Sequence, residues 1–184
     1  MWDLPTLDKL SLEASRGRQI HVLELGAGCG LAGVAFAKLI PHSQVLITDV
    51  SDAERLVKRN ISANKPAKRS NAKFQVLDWT TDLPSNIAKQ RYDVVLVADC
   101  IYNEDSIPAL VKTLSSLGSS SPDVLIIVAT KTRHSSEAMF FKLMESANLR
   151  MQADTYILAP ASYSTDDLAD AERIDVYEFV VKSV

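Results

Sequence analysis

The chain has 184 residues, 47% hydrophobic and 23% charged, a balance that fits a globular fold of ordinary domain size and excludes a disordered polymer. A net charge of −3 gives no basic footprint, so nucleic acid is not the default partner. No apolar run approaches the roughly 20 residues that span a bilayer, and no charged-then-apolar leader opens the chain.

Cys29 and Cys100 form neither a CxxC pair nor a disulfide framework, and the expected setting is a reducing one, cytoplasmic or nuclear. His21, His42 and His134 are too scattered to hold a metal, and none is expected. The expected form is a monomer.

In chain order, the first strand is Ile20–Leu25, followed by a glycine-rich turn and a helix read through Leu31, Val34, Phe36 and Leu39. Pro41 stops that helix. A second strand covers 44–48 and ends at Asp49. Ser51 and Glu54 have the spacing of a capping box, opening a helix that carries Leu56, Val57 and Ile61 and ends before Pro66. A third strand covers 73–77, and 92–98 is apolar enough for a strand buried on both faces.

A helix with Ile107, Leu110, Val111, Leu114 and Leu117 comes next, then a Ser/Gly-rich loop over 117–122 and a fifth strand over 124–129. Met139, Phe140, Leu143, Met144 and Ala147 mark another helix. Two last strands, about 152–158 and 174–181, are joined by an acidic loop rather than a crossover helix, which makes them an antiparallel pair. The expected fold is therefore α/β, doubly wound and Rossmann-like: a mostly parallel seven-stranded sheet that ends in an antiparallel hairpin. There is no internal repeat, and the chain reads as one domain.

The chemistry-bearing residues gather where strands end. Glu24-Leu25-Gly26-Ala27-Gly28-Cys29-Gly30 lies between a strand and a helix, where glycines admit a tight turn and a close ligand. Gly28, Gly30 and Gly33 also read as a dinucleotide fingerprint, and under either reading Asp49 accepts from ribose hydroxyls. Glu24 favours a ligand with a cationic ammonium, since a carboxylate there would repel a pyrophosphate. Such an ammonium belongs to the methionine part of S-adenosylmethionine.

Asp78-Trp79 offers an indole face for adenine and a carboxylate for its amino group. Ala98-Asp99-Cys100-Ile101-Tyr102 closes the strongest strand with a carboxylate and a phenol placed where a substrate amine would arrive.

Together, Glu24 to Gly30, Asp49, Asp78-Trp79 and Asp99-Cys100-Ile101-Tyr102 resemble the motifs of methyltransferase family 16, the seven-β-strand protein lysine methyltransferases marked by Asp-x-x-Tyr. The resemblance runs from about Trp2 to the C-terminus. It implies S-adenosylmethionine as cofactor, S-adenosylhomocysteine as product, and a lysine on a non-histone protein as acceptor.

It also implies cofactor contacts from Trp2, Gly26, Gly28, Asp49, Trp79 and Ala98, with Glu24, Ala27, Val50 and Asp78 beside them, and an acceptor channel at Asp99 and Tyr102. In this reading Asp99 draws in and orients the lysine, and the Tyr102 ring faces the cationic reacting centre. Family members usually carry several tens of residues before the tryptophan matched by Trp2, so the chain reads as a domain without that N-terminal extension.

Asp166, Asp167, Asp170 and Glu172 read either as a solvated loop or as charges that steer a lysine-rich surface. The alternatives left open are a small-molecule or nucleic-acid methyltransferase, although both prolines of the Asp/Asn-Pro-Pro-Tyr motif are missing, a nicotinamide oxidoreductase, and a cofactor-binding module without activity.

Overall fold

The computed structural model describes residues 5–131, 136–159 and 172–182. Trp2, Asp166, Asp167 and Asp170 lie outside them, as does the side chain of Glu172.

The elements follow as α1 (Pro5–Ser15), β1 (Ile20–Leu25), α2 (Leu31–Leu39), β2 (Ser43–Asp49), a single 3-10 turn (Ser51–Ala53), α3 (Glu54–Ala63), β3 (Asn71–Val76), α4 (Ser85–Ala88), β4 (Val94–Ala98), α5 (Ile107–Ser120), β5 (Leu125–Thr130), α6 (Ser136–Ser146), β6 (Leu149–Ala159) and β7 (Glu172–Val181). The seven strands form one sheet in the order β3-β2-β1-β4-β5-β7-β6. β1 to β5 are parallel, and β7 runs antiparallel to both β5 and β6. Strand order reverses between β1 and β4, and the register there ends at Leu25 opposite Val97. At such a point successive helices leave on opposite faces and a crevice opens at the strand ends.

Alternation along β4 produces two cores. Val94 and Leu96 face a cluster with Ile20, Val22, Val45 and Ile47, closed by Ala14 of α1, Val34 and Ala37 of α2, and Val57 of α3. Val95 and Val97 face the other cluster with Leu23, Leu25, Ile126 and Val128, closed by Leu110, Leu114 and Leu117 of α5 and Phe140 of α6. The expected double burial of this strand is met, as is the antiparallel hairpin.

Several local expectations are corrected. The loop expected over 117–122 is helical to Ser120. Gly118 lets the helix approach the sheet edge, since a Cβ there would lie 3.1 Å from Val181 and 3.3 Å from Leu149. The hydroxyls of Ser116, Ser119 and Ser120 donate back to carbonyls four residues earlier, which absorbs their polarity within the helix.

The capping box does not form. Ser51 Oγ donates to Asp52, Glu54 pairs with Lys58 at 2.5 Å, and the 3-10 turn leads straight into α3. On α2 the buried face is Gly33, Val34 and Ala37, whereas Leu31 and Leu39 are exposed. α1 and α4 are helices that the sequence reading did not identify.

Candidate functional site

The turn after β1 is where backbone geometry departs most from the ordinary. Gly26, Gly28 and Gly30 all have positive φ. At Gly26 (φ 60°) space adds to conformation: a Cβ there would lie 2.7 Å from Cys100 Sγ and 2.8 Å from Trp79 Cζ2.

Hydrogen bonds pin the turn to β2. Ala27 N–H donates to Thr48 O at 3.0 Å, Thr48 Oγ1 donates to Glu24 O at 2.6 Å, and Gly28 N–H donates to Asp49 Oδ2 at 2.6 Å. Val50 N–H donates to the other Asp49 oxygen at 2.7 Å, so two backbone groups orient this carboxylate. Asn60 of α3 reaches across to donate to Cys29 O at 2.8 Å.

Glu24 is 1% exposed and accepts from Gly33 N–H at 3.0 Å, at the open start of α2. Gly33 is glycine for room, since a Cβ there would sit 2.4 Å from Glu24 Oε2. Burial pushes the Glu24 carboxyl up to about 7; the N–H groups of Gly33 and Ala32 oppose the rise, and the nearby Asp49 adds to it.

After β3, Asp78 Oδ1 accepts from the N–H and the hydroxyl of Thr80, at 2.9 and 2.7 Å, which holds this carboxyl below its usual range. This local turn presents Trp79, whose half-buried indole packs on the core around β4 and α5.

After β4 the chain turns through Asp99 with φ 53°, a left-handed conformation that aspartate tolerates better than most residues. Its N–H donates to Ala129 O at 2.8 Å. Cys100 and Ile101 are buried, while Tyr102 is 65% exposed. Asn103 closes the loop: its side-chain oxygen accepts from Asp105 N–H at 3.0 Å, and its carbonyl accepts from Ser106.

These loops surround one cavity of about 940 Å³, near the upper end of the range for small-molecule sites. Glu24, Gly26, Ala27, Gly28, Asp49, Val50, Asp78, Trp79, Ala98, Asp99 and Tyr102 all line it. Every site residue identified from the sequence and lying inside the described chain is thus brought to one place.

The reading missed Asp52, Leu77, Cys100 and Asn103, which line the same cavity. An Asn-x-Asp-Ser turn after Tyr102 is the signal that marks Asn103. Cys100 carries no such mark, because a packed thiol reads like any core residue. The wall bears the acids Glu24, Asp49, Asp52, Asp78 and Asp99 and, among the described residues, no Lys, Arg or His.

Known proteins place this arrangement. The family described as lysine methyltransferase matches residues 5–147. Protein N-lysine methyltransferase METTL21A of Mus musculus is 34% identical over 148 residues, covering 79% of this chain and 66% of that protein. EEF1A lysine methyltransferase 3 of Xenopus tropicalis is 36% identical over 120 residues, 65% of this chain and 50% of that protein. The UPF0665 family protein C23C4.06c of Schizosaccharomyces pombe is 33% identical over 126 residues, 68% of this chain and 38% of that protein. The chain therefore spans less than two thirds of the length of these relatives.

In fold, a SAM-dependent methyltransferase from Methanosarcina mazei superposes with a TM-score of 0.65 at 10% identity, over 90% of this chain and 94% of that one. Magnesium protoporphyrin IX methyltransferase from Synechocystis, solved with bound SAM, superposes with a TM-score of 0.60 at 16% identity, over 97% of this chain and 79% of that one. The fold is thus that of these SAM-dependent methyltransferases, and the chain belongs to the lysine methyltransferase family.

Proposed function

We propose that this chain transfers a methyl group from S-adenosylmethionine to the side-chain amine of a lysine on a non-histone protein. The observation that carries the reading is the charge of the cavity wall, five acids and no described cation, around a glycine turn built for close backbone approach. These acids repel a dinucleotide pyrophosphate, whereas a ligand with an ammonium and a sulfonium is attracted twice. The space in front of the turn fits a ligand too: nothing stands within 4 Å of where a Cβ on Gly28 would be.

Asp49, already oriented by Gly28 and Val50, accepts from the sugar diol through its remaining lone pairs. Glu24 faces the ammonium, and Trp79 and Val50 offer apolar surface to the purine. Bound there, S-adenosylmethionine supplies a methyl carbon on a sulfonium leaving group, so that an amine lone pair forms the C–N bond as the C–S bond breaks and its electron pair returns to sulfur.

The chain contributes alignment and exclusion of water. Asp99 attracts and orients the incoming lysine, whose ordinary pKa of about 10.4 requires that a proton leave to water before attack. The Tyr102 ring presents its face to the cationic centre.

Radiolabelled methyl transfer from the donor into a cell lysate tests the proposal, with protease and nuclease treatment of the product followed by mass spectrometry. Label on lysine of a protease-sensitive product, absent with Asp99→Ala, is the expected result. Label in nucleic acid or in small molecules, or full labelling by the Asp99→Ala chain, would overturn it.

A further inference from the structure

The ladder between β1 and β4 stops at Leu25 opposite Val97, and beyond it the two chains part towards α2 on one face and α5 on the other. The cavity opens in that gap, so its width depends on what ties the two turns together. The side chain of Cys100 spans it. Cys100 Sγ lies 3.4 Å from Leu25 O and 3.5 Å from Gly26 O across the gap, and 3.3 Å from Ala98 O on its own side. Gly26 leaves space for this sulfur and for the Trp79 ring, both of which a Cβ at that position would strike.

The segment from Asp99 to Tyr102 divides accordingly. Cys100 and Ile101 are 6% and 1% exposed and act as anchors, while Asp99 and Tyr102 face outward to the cavity.

We propose that Cys100 is a positioning residue: its thiol, interlocked with Gly26 and Trp79, latches the turn after β1 to the turn after β4 and sets the span from the donor-binding floor to Asp99 and Tyr102. This rests on the methyl-transfer reading above. The thiol suits the role because it stays protonated. Burial pushes it up to about 12, with Asp49 and Glu24 adding to the rise, so the S–H remains available to the carbonyls it faces. A latch of this kind acts on alignment more than on donor affinity, because Asp49 and Glu24, expected to hold the sugar and the ammonium, keep their own bonds to Gly28, Val50 and Gly33 without it.

Cys100→Ala and Cys100→Ser chains separate this role from simple core filling. The measurements are melting temperature, S-adenosylhomocysteine affinity by calorimetry, and kcat and KM for the labelled acceptor. With Cys100→Ala, product affinity is expected to stay within about threefold while kcat falls about tenfold or more, as misplacement by a fraction of an ångström to 1 Å would cause. Cys100→Ser should recover most of kcat, since its hydroxyl can donate to one of the same carbonyls.

A Cys100→Ala chain with unchanged kcat, or a Cys100→Ser chain as slow as Cys100→Ala, would overturn the latch. If the parent chain binds product yet labels no protein, the methyl-transfer reading fails by itself, and amide hydrogen exchange then judges the latch. Faster exchange at Gly26 to Gly30 and at Asp99 in Cys100→Ala, slowed again in Cys100→Ser, supports it, and unchanged exchange overturns it.

Discussion

The two sides of the cavity are built differently. On the donor side the functional acids are locked by main-chain donors: Asp49 by Gly28 and Val50, and Glu24 by Gly33 at the start of α2. On the acceptor side Asp99 and Tyr102 stand exposed on a loop shaped by an asparagine turn and a left-handed residue. The first side is a property of the sheet edge itself. The second belongs to a connection that can vary without disturbing the sheet. Under the proposed function, donor binding is therefore the robust half of the site and acceptor handling the adaptable half.

Single substitutions should separate the two halves. The largest effect is expected for Asp99→Ala, which removes the orienting carboxylate and lowers turnover by about a hundredfold. Its affinity for S-adenosylhomocysteine should stay within a few-fold by calorimetry. Equal losses of both would mean that the two sides are not separable.

Asp49→Ala is the reciprocal change. Loss of two charge-assisted hydrogen bonds worth roughly 1.5–3 kcal/mol each lowers product affinity by about a hundredfold or more. Turnover at saturating donor should fall far less. If affinity is untouched, Asp49 does not hold the sugar.

Glu24 gives a subtler contrast, in pH rather than in rate. Folding lifts its carboxyl from 4.5 to about 7, so between these values the folded chain holds a proton that the unfolded chain has lost. Stability then falls as pH climbs through that window, by on the order of 3 kcal/mol. Glu24→Gln should remove this fall, melting higher than the parent chain at pH 8 with the difference closing near pH 5.

Donor binding is expected to run the other way. Below about pH 7 Glu24 is neutral and holds an ammonium less well, so product affinity drops as pH falls, at most tenfold per unit, and Glu24→Gln flattens the profile. A parent chain whose affinity is flat from pH 6 to 8 would separate Glu24 from the ammonium.

Much of this was legible in the sequence because the sheet writes its function at strand ends. Glu24, Asp49, Asp78 and Asp99 each follow or close an apolar run, and a parallel sheet brings those ends to one edge. What stayed hidden depends on tertiary contact. Leu31 and Leu39 fit a helical stripe, yet α2 turns its small residues, Gly33 and Ala37, towards β1 and β2. The stretch 117–122 reads as a loop by composition, yet the helix runs on to Ser120, with Gly118 packed close to Leu149 and Val181. Cys100 is the sharpest case, since its importance lies in three carbonyls that no spacing rule brings together.

All of this depends on the acidic crevice beside the glycine turn binding a cationic sulfonium donor, as proposed. Calorimetry of the purified chain with S-adenosylmethionine, S-adenosylhomocysteine and NAD is the decisive experiment. Saturable 1:1 binding of the first two and none of NAD is the expected result. Uptake of NAD with no affinity for either sulfur ligand would contradict it.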